Sequence, residues 1–350
     1  DDTFVSAASY YVGLQKWDAK TGALIATAPL PKESYTNVAV TTKDRKLGAF
    51  ASHSSIILVD LVSLKTPRVL EIFSEKGGDR IEDVAFLDDG NLVVSACSKG
   101  SSEALRLFDQ RGHQVSSFDV PRPKESYGEA CGGPLAIANG LLVAGINEKA
   151  QLIDLKSKEV LGTFESGVSV ETVAFAPDGT QFVVGGYGDA VNVFDTKTEK
   201  AVRSYGFFSY DEDRQISGTT FSPDGKRVFV SASSGGRIYD TASGLELRRI
   251  GGVDGAVNMR DSIATIGNVL AFPMGAPDLI GRFDWTTGAQ LPPHDLGRHD
   301  QALLFGAFGT DGSVYTASRD GTIRKWNAMT GAPIATFSDF PTDKPIAVAK

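Results

Sequence analysis

The residues best suited to chemistry are two histidine–aspartate pairs near the C-terminus, His294-Asp295 and His299-Asp300. A zinc or iron site needs three or four nitrogen, oxygen or sulfur ligands that converge on one point, whereas each pair offers two. The sequence contains no His-Glu-x-x-His, Cys-x-x-Cys-His or Gly-x-Ser-x-Gly motif, and no glycine-rich phosphate loop before a helix. We therefore expect no metal, no cofactor and no catalytic residue.

A short alternating run that ends in a large apolar residue followed by Asp or Asn recurs along the whole chain. The eight instances are Trp17-Asp18, Val59-Asp60, Phe108-Asp109, Ile153-Asp154, Phe194-Asp195, Tyr239-Asp240, Phe283-Asp284 and Trp326-Asn327. From one Asp or Asn, here called an anchor, to the next, the spacings are 42, 49, 45, 41, 45, 44 and 43 residues. A four-stranded propeller blade repeats every ~40–45 residues. The spacing therefore predicts eight similar four-stranded units.

Two turn signals accompany this repeat. After several anchors a turn ends in glycine, as in Ala19-Lys20-Thr21-Gly22 and Ala328-Met329-Thr330-Gly331, where glycine tolerates a positive φ. Asp-Gly between two apolar runs, as in Pro177-Asp178-Gly179 and Pro223-Asp224-Gly225, is a strong hairpin signal. Runs such as Val173-Ala174-Phe175 favour strands, and helical periodicity is absent over any useful window. The sequence thus predicts an all-β chain of antiparallel units.

The last complete unit resembles a WD repeat. Its marks are Gly297-Arg298-His299, the run from Thr316 to Gly321, and Lys325-Trp326-Asn327. In that family a His, a Ser or Thr, an Asp and a Trp form a buried hydrogen-bonded set. The matching positions are His299, Thr316, Asp320 and Trp326. The other units keep the strand and turn marks but mostly lose the His and the Trp. The resemblance implies an eight-bladed β-propeller, and the chain is also similar to the wider group of quinoprotein-like propellers.

The two ends of the sequence fall within a repeat rather than between repeats. The start, Thr3 to Ala7, is predicted as a second strand, because only a third strand follows before Asp18. The end, Pro345 to Ala349, matches the first-strand runs such as Val38-Ala39-Val40. We therefore expect the C-terminal strand to complete the first blade, which leaves no open ring edge in a single propeller domain over residues 1–350.

Two long segments, Pro121 to Gly133 and Gly206 to Ser217, lead from a predicted fourth strand to the next first strand. In WD-repeat propellers such loops share one face with the loops between second and third strands. Aromatic residues beside acidic ones suit a binding rim on this face. The predicted partner-binding residues are Tyr35, Tyr127, Phe207, Phe208, Tyr210, Asp211, Glu212 and Asp213. The alternative is that the aromatic rings pack back onto the blades.

Charge and hydropathy argue against two classes of partner. The net charge is −8, and lysine and arginine are scattered without a basic run. Nucleic-acid recognition depends on a clustered basic surface. No apolar stretch approaches the ~20 residues that a membrane-spanning helix requires. We expect neither nucleic-acid binding nor membrane insertion.

The two cysteines, Cys97 and Cys131, fall on the same predicted face in neighbouring blades. A disulfide needs α-carbons within ~4.4–6.8 Å, which this topology allows without ensuring it. The alternative is two separately buried free thiols. A disulfide would favour an exported protein. The sequence begins at Asp1 rather than Met, so either a signal peptide has been removed or the sequence starts late. We expect a periplasmic or extracellular protein, with a cytoplasmic one as the alternative.

These observations favour a non-enzymatic scaffold that presents one loop face to partner proteins, as a possible subunit of a larger complex. A rigid ring offers many loops, and no reaction centre is recognisable. The alternative is a propeller enzyme, such as a quinone- or metal-dependent dehydrogenase or a lactonase, with a site at the ring axis. A convergent set of histidines and carboxylates at the axis, or a bound cofactor, would distinguish the two.

Overall fold

The computed structural model describes residues 3–7, 13–29, 38–65, 67–73, 79–99, 104–118, 129–166, 169–187, 190–206, 216–232, 235–250, 263–274, 279–292, 299–301, 303–309, 311–318, 320–338 and 347–349. The chain divides into two compact units. Unit 1 comprises Asp1–Ala130 and Gly297–Lys350, and unit 2 comprises Cys131–Leu296. That residues 1–350 form a single domain stays a prediction.

Strands make up nearly all of the regular structure. The N-terminal part of unit 1 contains β1 (Thr3–Ala7), β2 (Leu14–Asp18), β3 (Leu24–Ala28), β4 (Val38–Thr41), β5 (Leu47–Ala51), β6 (Ser55–Asp60), β7 (Arg68–Glu71), β8 (Arg80–Phe86), β9 (Leu92–Lys99), β10 (Leu105–Phe108) and β11 (Gln114–Phe118). Unit 2 contains β12 (Glu129–Ala138), β13 (Leu141–Ile146), β14 (Lys149–Asp154), β15 (Val160–Glu165), β16 (Val170–Phe175), β17 (Gln181–Gly186), β18 (Ala190–Asp195), β19 (Ala201–Gly206), β20 (Ile216–Phe221), β21 (Arg227–Ala232), β22 (Gly235–Asp240), β23 (Glu246–Ile250), β24 (Ala264–Ile266), β25 (Val269–Met274) and β26 (Leu279–Asp284). The C-terminal part of unit 1 adds β27 (Leu303–Phe308), β28 (Ser313–Ser318), β29 (Ile323–Asn327), β30 (Pro333–Phe337) and β31 (Ala347–Ala349).

The described residues of unit 1 form four antiparallel groups of four strands. Three of them are meanders of consecutive strands, namely β4–β7, β8–β11 and β27–β30. The fourth joins the first and last described strands in the order β3-β2-β1-β31. In it Val5 lies opposite Ala349 and Ala7 lies opposite Ala347. Residues 345 and 346, which the sequence also assigns to the last strand, lie outside the described residues.

In the described part of unit 2, three meanders have four strands each, namely β12–β15, β16–β19 and β20–β23. Its last group, β24–β26, has three strands within the described ranges, where the repeat predicts four. Beyond β26 only an isolated bridge between Phe283 and Gln290 and a 2.7 Å hydrogen bond from the Leu291 N–H to the Arg282 carbonyl oxygen extend the ladder. Elsewhere the predicted all-β chain of four-stranded antiparallel groups is confirmed, and no helix occurs in the described ranges.

Apolar side chains fill the space between successive groups. In unit 1 the ring of Phe4 on β1 lies 4.8 Å from that of Tyr315 on β28 and 4.9 Å from that of Phe337 on β30, centroid to centroid. In unit 2 Tyr205 of β19 stacks on Tyr239 of β22 at 4.8 Å. Burying one such ring stabilises the fold by about 1.5–3 kcal/mol. The groups therefore pack face to face around a series of small cores.

The anchors recur because their side chains form hydrogen bonds within the turn between the third and fourth strands of each group. Oδ1 of Asp18 accepts hydrogen bonds from the backbone N–H groups of Lys20 and Thr21, at 2.9 and 2.7 Å. Two turn N–H groups bond in the same way to Oδ1 of Asp60, Asp109, Asp154, Asp195 and Asp284. These backbone bonds lower the pKa of Asp18 below its ordinary value. An Asp or Asn is needed because its short side chain reaches its own following backbone.

The same turn requires one left-handed residue, four positions after most anchors. Gly22 takes a φ of +76° there. Leu64, Lys158 and Glu199 stand at the equivalent positions with φ values of 51°, 62° and 56°. A side chain with a β-carbon costs about 1–2 kcal/mol in this region. The turn geometry is thus imposed by the repeat even where glycine is missing.

Candidate functional site

His299 lies at the centre of the hydrogen-bonded set that the WD-repeat resemblance implies. Its Nε2 is 2.7 Å from Oγ1 of Thr316, and its Nδ1 is 3.0 Å from Oδ2 of Asp320. Trp326 Nε1 donates to the same Thr316 Oγ1 at 2.9 Å. Thr316 and Trp326 lie on the adjacent strands β28 and β29, while Asp320 lies in the turn between them. The structure brings all four residues into one connected set.

The directions of these bonds define the tautomer of His299. A carboxylate can only accept, so Nδ1 of His299 carries the hydrogen and donates to Asp320 Oδ2. In the neutral ring Nε2 is then an acceptor, and it accepts from the Thr316 hydroxyl, whose oxygen accepts in turn from Trp326 Nε1. The same carboxylate oxygen accepts the backbone N–H of Asp300 at 3.0 Å. Every polar atom of the imidazole is therefore satisfied in its neutral form.

The set is shielded from solvent. His299 is 3% exposed and Thr316 is 0% exposed. Burial lowers the pKa of His299 below its ordinary value, although the neighbouring Asp320 carboxylate acts in the opposite direction. Burial alone would raise the pKa of Asp320, but hydrogen bonds from Thr322 and from the Asp300 N–H outweigh it, and the pKa is lowered. At neutral pH the set therefore consists of a neutral imidazole, a carboxylate, a hydroxyl and an indole.

The order hydroxyl–imidazole–carboxylate is also that of a hydrolase triad. A nucleophilic hydroxyl must reach a substrate carbonyl, yet Thr316 has no exposed surface. Its oxygen, in addition, accepts the Trp326 N–H at 2.9 Å. This arrangement holds strands and a turn together and does not present a nucleophile.

A second indole–hydroxyl pair lies in the group that contains the chain's first strand. Trp17 Nε1 donates to Ser6 Oγ at 3.0 Å, and both residues are buried. Ser6 was not among the residues predicted from the sequence. A signal was present, because Trp precedes the anchor only in Lys16-Trp17-Asp18 and Lys325-Trp326-Asn327, and a hydroxyl residue lies on the preceding strand in both. The indole N–H requires an acceptor once it is buried.

The lysines of these two tripeptides reach out of their own groups. Lys16 Nζ donates to the carbonyl oxygens of Leu61 and Val62 at 2.9 and 2.8 Å. Lys325 Nζ donates to the carbonyl oxygen of Ala19 at 3.2 Å. Each acceptor lies in the turn directly after an anchor. In the repeated tripeptide, Trp thus forms a hydrogen bond within its own group of strands, and Lys forms hydrogen bonds to the following group.

Lys325 is buried but keeps its charge. Its Nζ is 3.2 Å from Oδ2 of Asp311 and 5.5 Å from the ring centroid of Tyr315. Burial lowers the pKa of Lys325, whereas Tyr315 and Asp311 raise it by more, and the balance lies above the ordinary value. The ammonium group is therefore a charged donor at neutral pH.

The other residues predicted from the sequence are the two cysteines, one His–Asp pair and the partner-binding residues. Cys97 and Cys131 are both disulfide-bonded, and the sequence holds no other cysteine. His294 and Asp295 lie outside the described residues. The predicted partner-binding residues also lie outside them, namely Tyr35, Tyr127, Phe207, Phe208, Tyr210, Asp211, Glu212 and Asp213.

Across the described ranges, no group of three or more His, Cys, Asp and Glu side chains is placed to hold a metal ion. Nor does that part of the chain contain a helix with the length and apolar character to cross a bilayer.

Comparison with known proteins identifies the fold. No protein-family model and no curated protein matches the sequence. Among solved structures 1725 chains match, so the likeness points to a widely used architecture and not to one activity. One of them belongs to the "Crystal Structure of Mitotic Checkpoint Complex", with a TM-score of 0.62 and 14% identity over 87% of this chain and 96% of that chain. At this identity the likeness concerns the fold alone. With the antiparallel groups and the WD-repeat motifs, it defines a WD-repeat-like β-propeller fold.

Proposed function

We propose that this protein is a non-enzymatic protein-binding scaffold, built as one eight-bladed propeller over residues 1–350. The observation that carries the proposal is the pairing of β31 with β1, in which Val5 lies opposite Ala349. A ring whose first blade contains strands from both chain ends is closed without a gap between its first and last blades. The eight anchors supply one turn to each proposed blade.

Rigidity at the meeting of the two ends supports this role. Phe4 packs between Tyr315 and Phe337, and the Lys325 ammonium group bonds to the Ala19 carbonyl oxygen. Such contacts hold the strands in one arrangement before any partner arrives. A pre-organised platform loses less conformational entropy on binding than a mobile one.

The partner would bind on the loop face proposed from the sequence, chiefly through Phe207, Phe208 and Tyr210. Aromatic side chains supply large contact area with few rotatable bonds, which suits them to the centre of an interface. The solved chain with a similar fold belongs to a structure described as a complex. We propose that this chain likewise acts as a subunit of an assembly with other proteins, in a periplasmic or extracellular location.

Cross-linked affinity capture from the native source, read by mass spectrometry, tests this function. The wild-type protein is compared with the double variant Phe208→Ala/Tyr210→Ala, and with Val115→Ala on β11 as a control for loss of an exposed apolar side chain. We expect the double variant to lose specific partners at an unchanged melting temperature, while the control retains them. Equal capture by all three proteins would contradict the proposed loop face, and failure of the wild type to capture any partner would contradict the scaffold.

A further inference from the structure

The outer strand β23 is open to solvent along most of its length. The first four of its residues, Glu246 to Arg249, are exposed, and only Ile250 is buried. Just before it, Leu245 is 66% exposed, the highest value of any large apolar side chain among the described residues. Leu247 is 48% exposed. Exposed leucines on an edge strand are unusual because they invite pairing with another chain.

Leu247 owes its exposure to a β-bulge. Glu246 and Arg248 pair with the consecutive residues Tyr239 and Ile238 of β22, so Leu247 between them has no partner in the ladder. A bulge leaves the extra residue unpaired and redirects it away from the sheet. Among the described residues no strand pairs with the other side of β23, so this edge combines unpaired backbone positions with an outward aliphatic side chain.

Two arginines on neighbouring outer strands, Arg203 of β19 and Arg248 of β23, each contact an anchor turn of the following group. A β-carbon placed on Gly288 would lie 2.7 Å from Cβ and Cγ of Arg248, so the glycine leaves the space that the arginine stem occupies. At Gly244 the corresponding distance to Cδ of Arg203 is 3.6 Å, an ordinary van der Waals contact. Arg203 is held instead by its hydrogen bonds to the carbonyl oxygen of Ala242.

The charge of these two arginines has no carboxylate partner within the described part of the chain. Arg203 donates only to backbone carbonyl oxygens, with Nε at 2.9 Å from that of Ala242. Arg248 makes no ion pair with any described residue, whereas the neighbouring Arg249 lies 2.5 Å from Glu246 Oε1. In a chain of net charge −8, this concentration of arginine stands out from its surroundings.

These residues form a surface that we call the arginine–leucine patch, consisting of Arg203, Leu245, Leu247, Arg248 and Arg249. We propose that this patch binds an extended acidic segment of a partner protein, in which carboxylates pair with Arg203 and Arg248 and aliphatic side chains cover the two leucines. Guanidinium groups bind carboxylates through two parallel hydrogen bonds. An open strand edge adds main-chain bonds to an extended peptide. The inference rests on the proposed binding function but concerns a surface different from the proposed loop face.

Fluorescence polarisation with defined peptides tests the patch on the full-length protein. The probe is a labelled ten-residue peptide that alternates Asp and Leu, and its counterpart carries Lys in place of Asp. We expect the wild type to bind the acidic probe and not the basic one. The variants Arg203→Ser/Arg248→Ser and Leu247→Ser should each weaken binding by tenfold or more, with a steep dependence on salt for the wild type.

Leu161 on β15 supplies a matched control. It occupies the equivalent bulge, because Val160 and Gly162 pair with the consecutive residues Ile153 and Leu152, and the next residue is Gly162 instead of an arginine. Leu161→Ser should bind the acidic probe as the wild type does. Melting temperatures show whether each variant is folded.

Several results would overturn the patch. They are absence of wild-type binding to the acidic probe, unchanged binding by the folded arginine variant, and equal competition by a single-stranded oligonucleotide, which would indicate a general anion site. Failure of partner capture through Phe208 and Tyr210 would leave these peptide results unchanged, so the two proposals fail separately.

Discussion

Lys325 Nζ lies 3.2 Å from the carbonyl oxygen of Ala19, a residue 306 positions earlier in the chain. The bond connects the meander β27–β30 to the group that contains both β1 and β31. It repeats the contact that Lys16 makes with Leu61 one group further on, at 2.9 Å. Lysine in the third strand therefore acts as a link between successive groups of strands.

Replacing Lys325 with Met should lower the free energy of unfolding by about 1–3 kcal/mol, because the buried carbonyl oxygen of Ala19 loses its donor. Lys65, which is exposed, provides the control, and Lys65→Met should leave the stability nearly unchanged. Urea denaturation followed by tryptophan fluorescence measures both values. Equal stabilities of the two variants would show that the link contributes nothing.

The buried set around His299 should be costly to break. Trp326→Ala should destabilise the protein by roughly 3–5 kcal/mol, as large aromatic deletions in cores do. His299→Ala should cost less, of order 1–3 kcal/mol, because Thr316 and Asp320 each lose one buried hydrogen-bond partner. His113→Ala is the control, since that side chain is 73% exposed. A melting temperature of His299→Ala that matches the control would remove the structural role of the set.

Stability should depend on pH through His299. Its pKa in the folded protein lies below the ordinary value of 6.5, so the unfolded chain takes up the proton first. The stabilisation is complete above pH 6.5 and is lost as the pH falls from there through the folded pKa. We expect the free energy of unfolding to decrease between pH 7.5 and 5.5, and to decrease less in His299→Gln. Identical pH profiles of the two proteins in this window would be the contrary result. The aspartate anchors affect stability at a lower pH than His299 does, because the pKa of residues such as Asp18 is lowered from 3.8.

Glycine at a left-handed anchor turn should stabilise the chain. Lys158 has a φ of 62° and is exposed, so Lys158→Gly relieves backbone strain of about 1–2 kcal/mol. The greater flexibility of the unfolded glycine chain offsets roughly 0.5–1 kcal/mol of that gain. We expect a net increase in unfolding free energy of up to about 1 kcal/mol by denaturant titration. The reverse change at an equivalent turn, Gly244→Ala, should be destabilising, and a gain there would refute the interpretation of the turn.

The disulfide-bonded state of Cys97 and Cys131 can be measured directly. The bond would close a loop of about 34 residues and stabilise the fold by roughly 3–4 kcal/mol in the chain-entropy view. We expect no alkylatable thiol in the denatured, unreduced protein by mass spectrometry, and a lower melting temperature after reduction. Two alkylatable thiols without reductant would contradict the bond, and with it the main argument for an exported protein.

Much of the fold could be predicted from local signals in the sequence. The anchors at 41- to 49-residue spacing predicted the strand groups because an Asp or Asn turn depends on its own following backbone and on nothing distant. Strand propensity predicted the all-β class for the same reason. The set of His299, Thr316, Asp320 and Trp326 could be predicted from the sequence because the WD-repeat resemblance assigns all four positions within one unit.

The sequence by itself determined the spacing and order of the anchor turns, and predicted that one group takes strands from both ends of the chain. It was wrong at one group boundary, because residues 129–133 were predicted to lie in a loop, whereas β12 begins at Glu129. Only the tertiary structure decided which buried donors meet which acceptors, such as Lys325 with Ala19. It also decided that the side chain of Arg248 packs against Gly288. These contacts join residues of different groups, whose distance depends on how the sheets pack. A repeat spacing defines the order of such sheets but not the side chain that faces a given carbonyl oxygen across them.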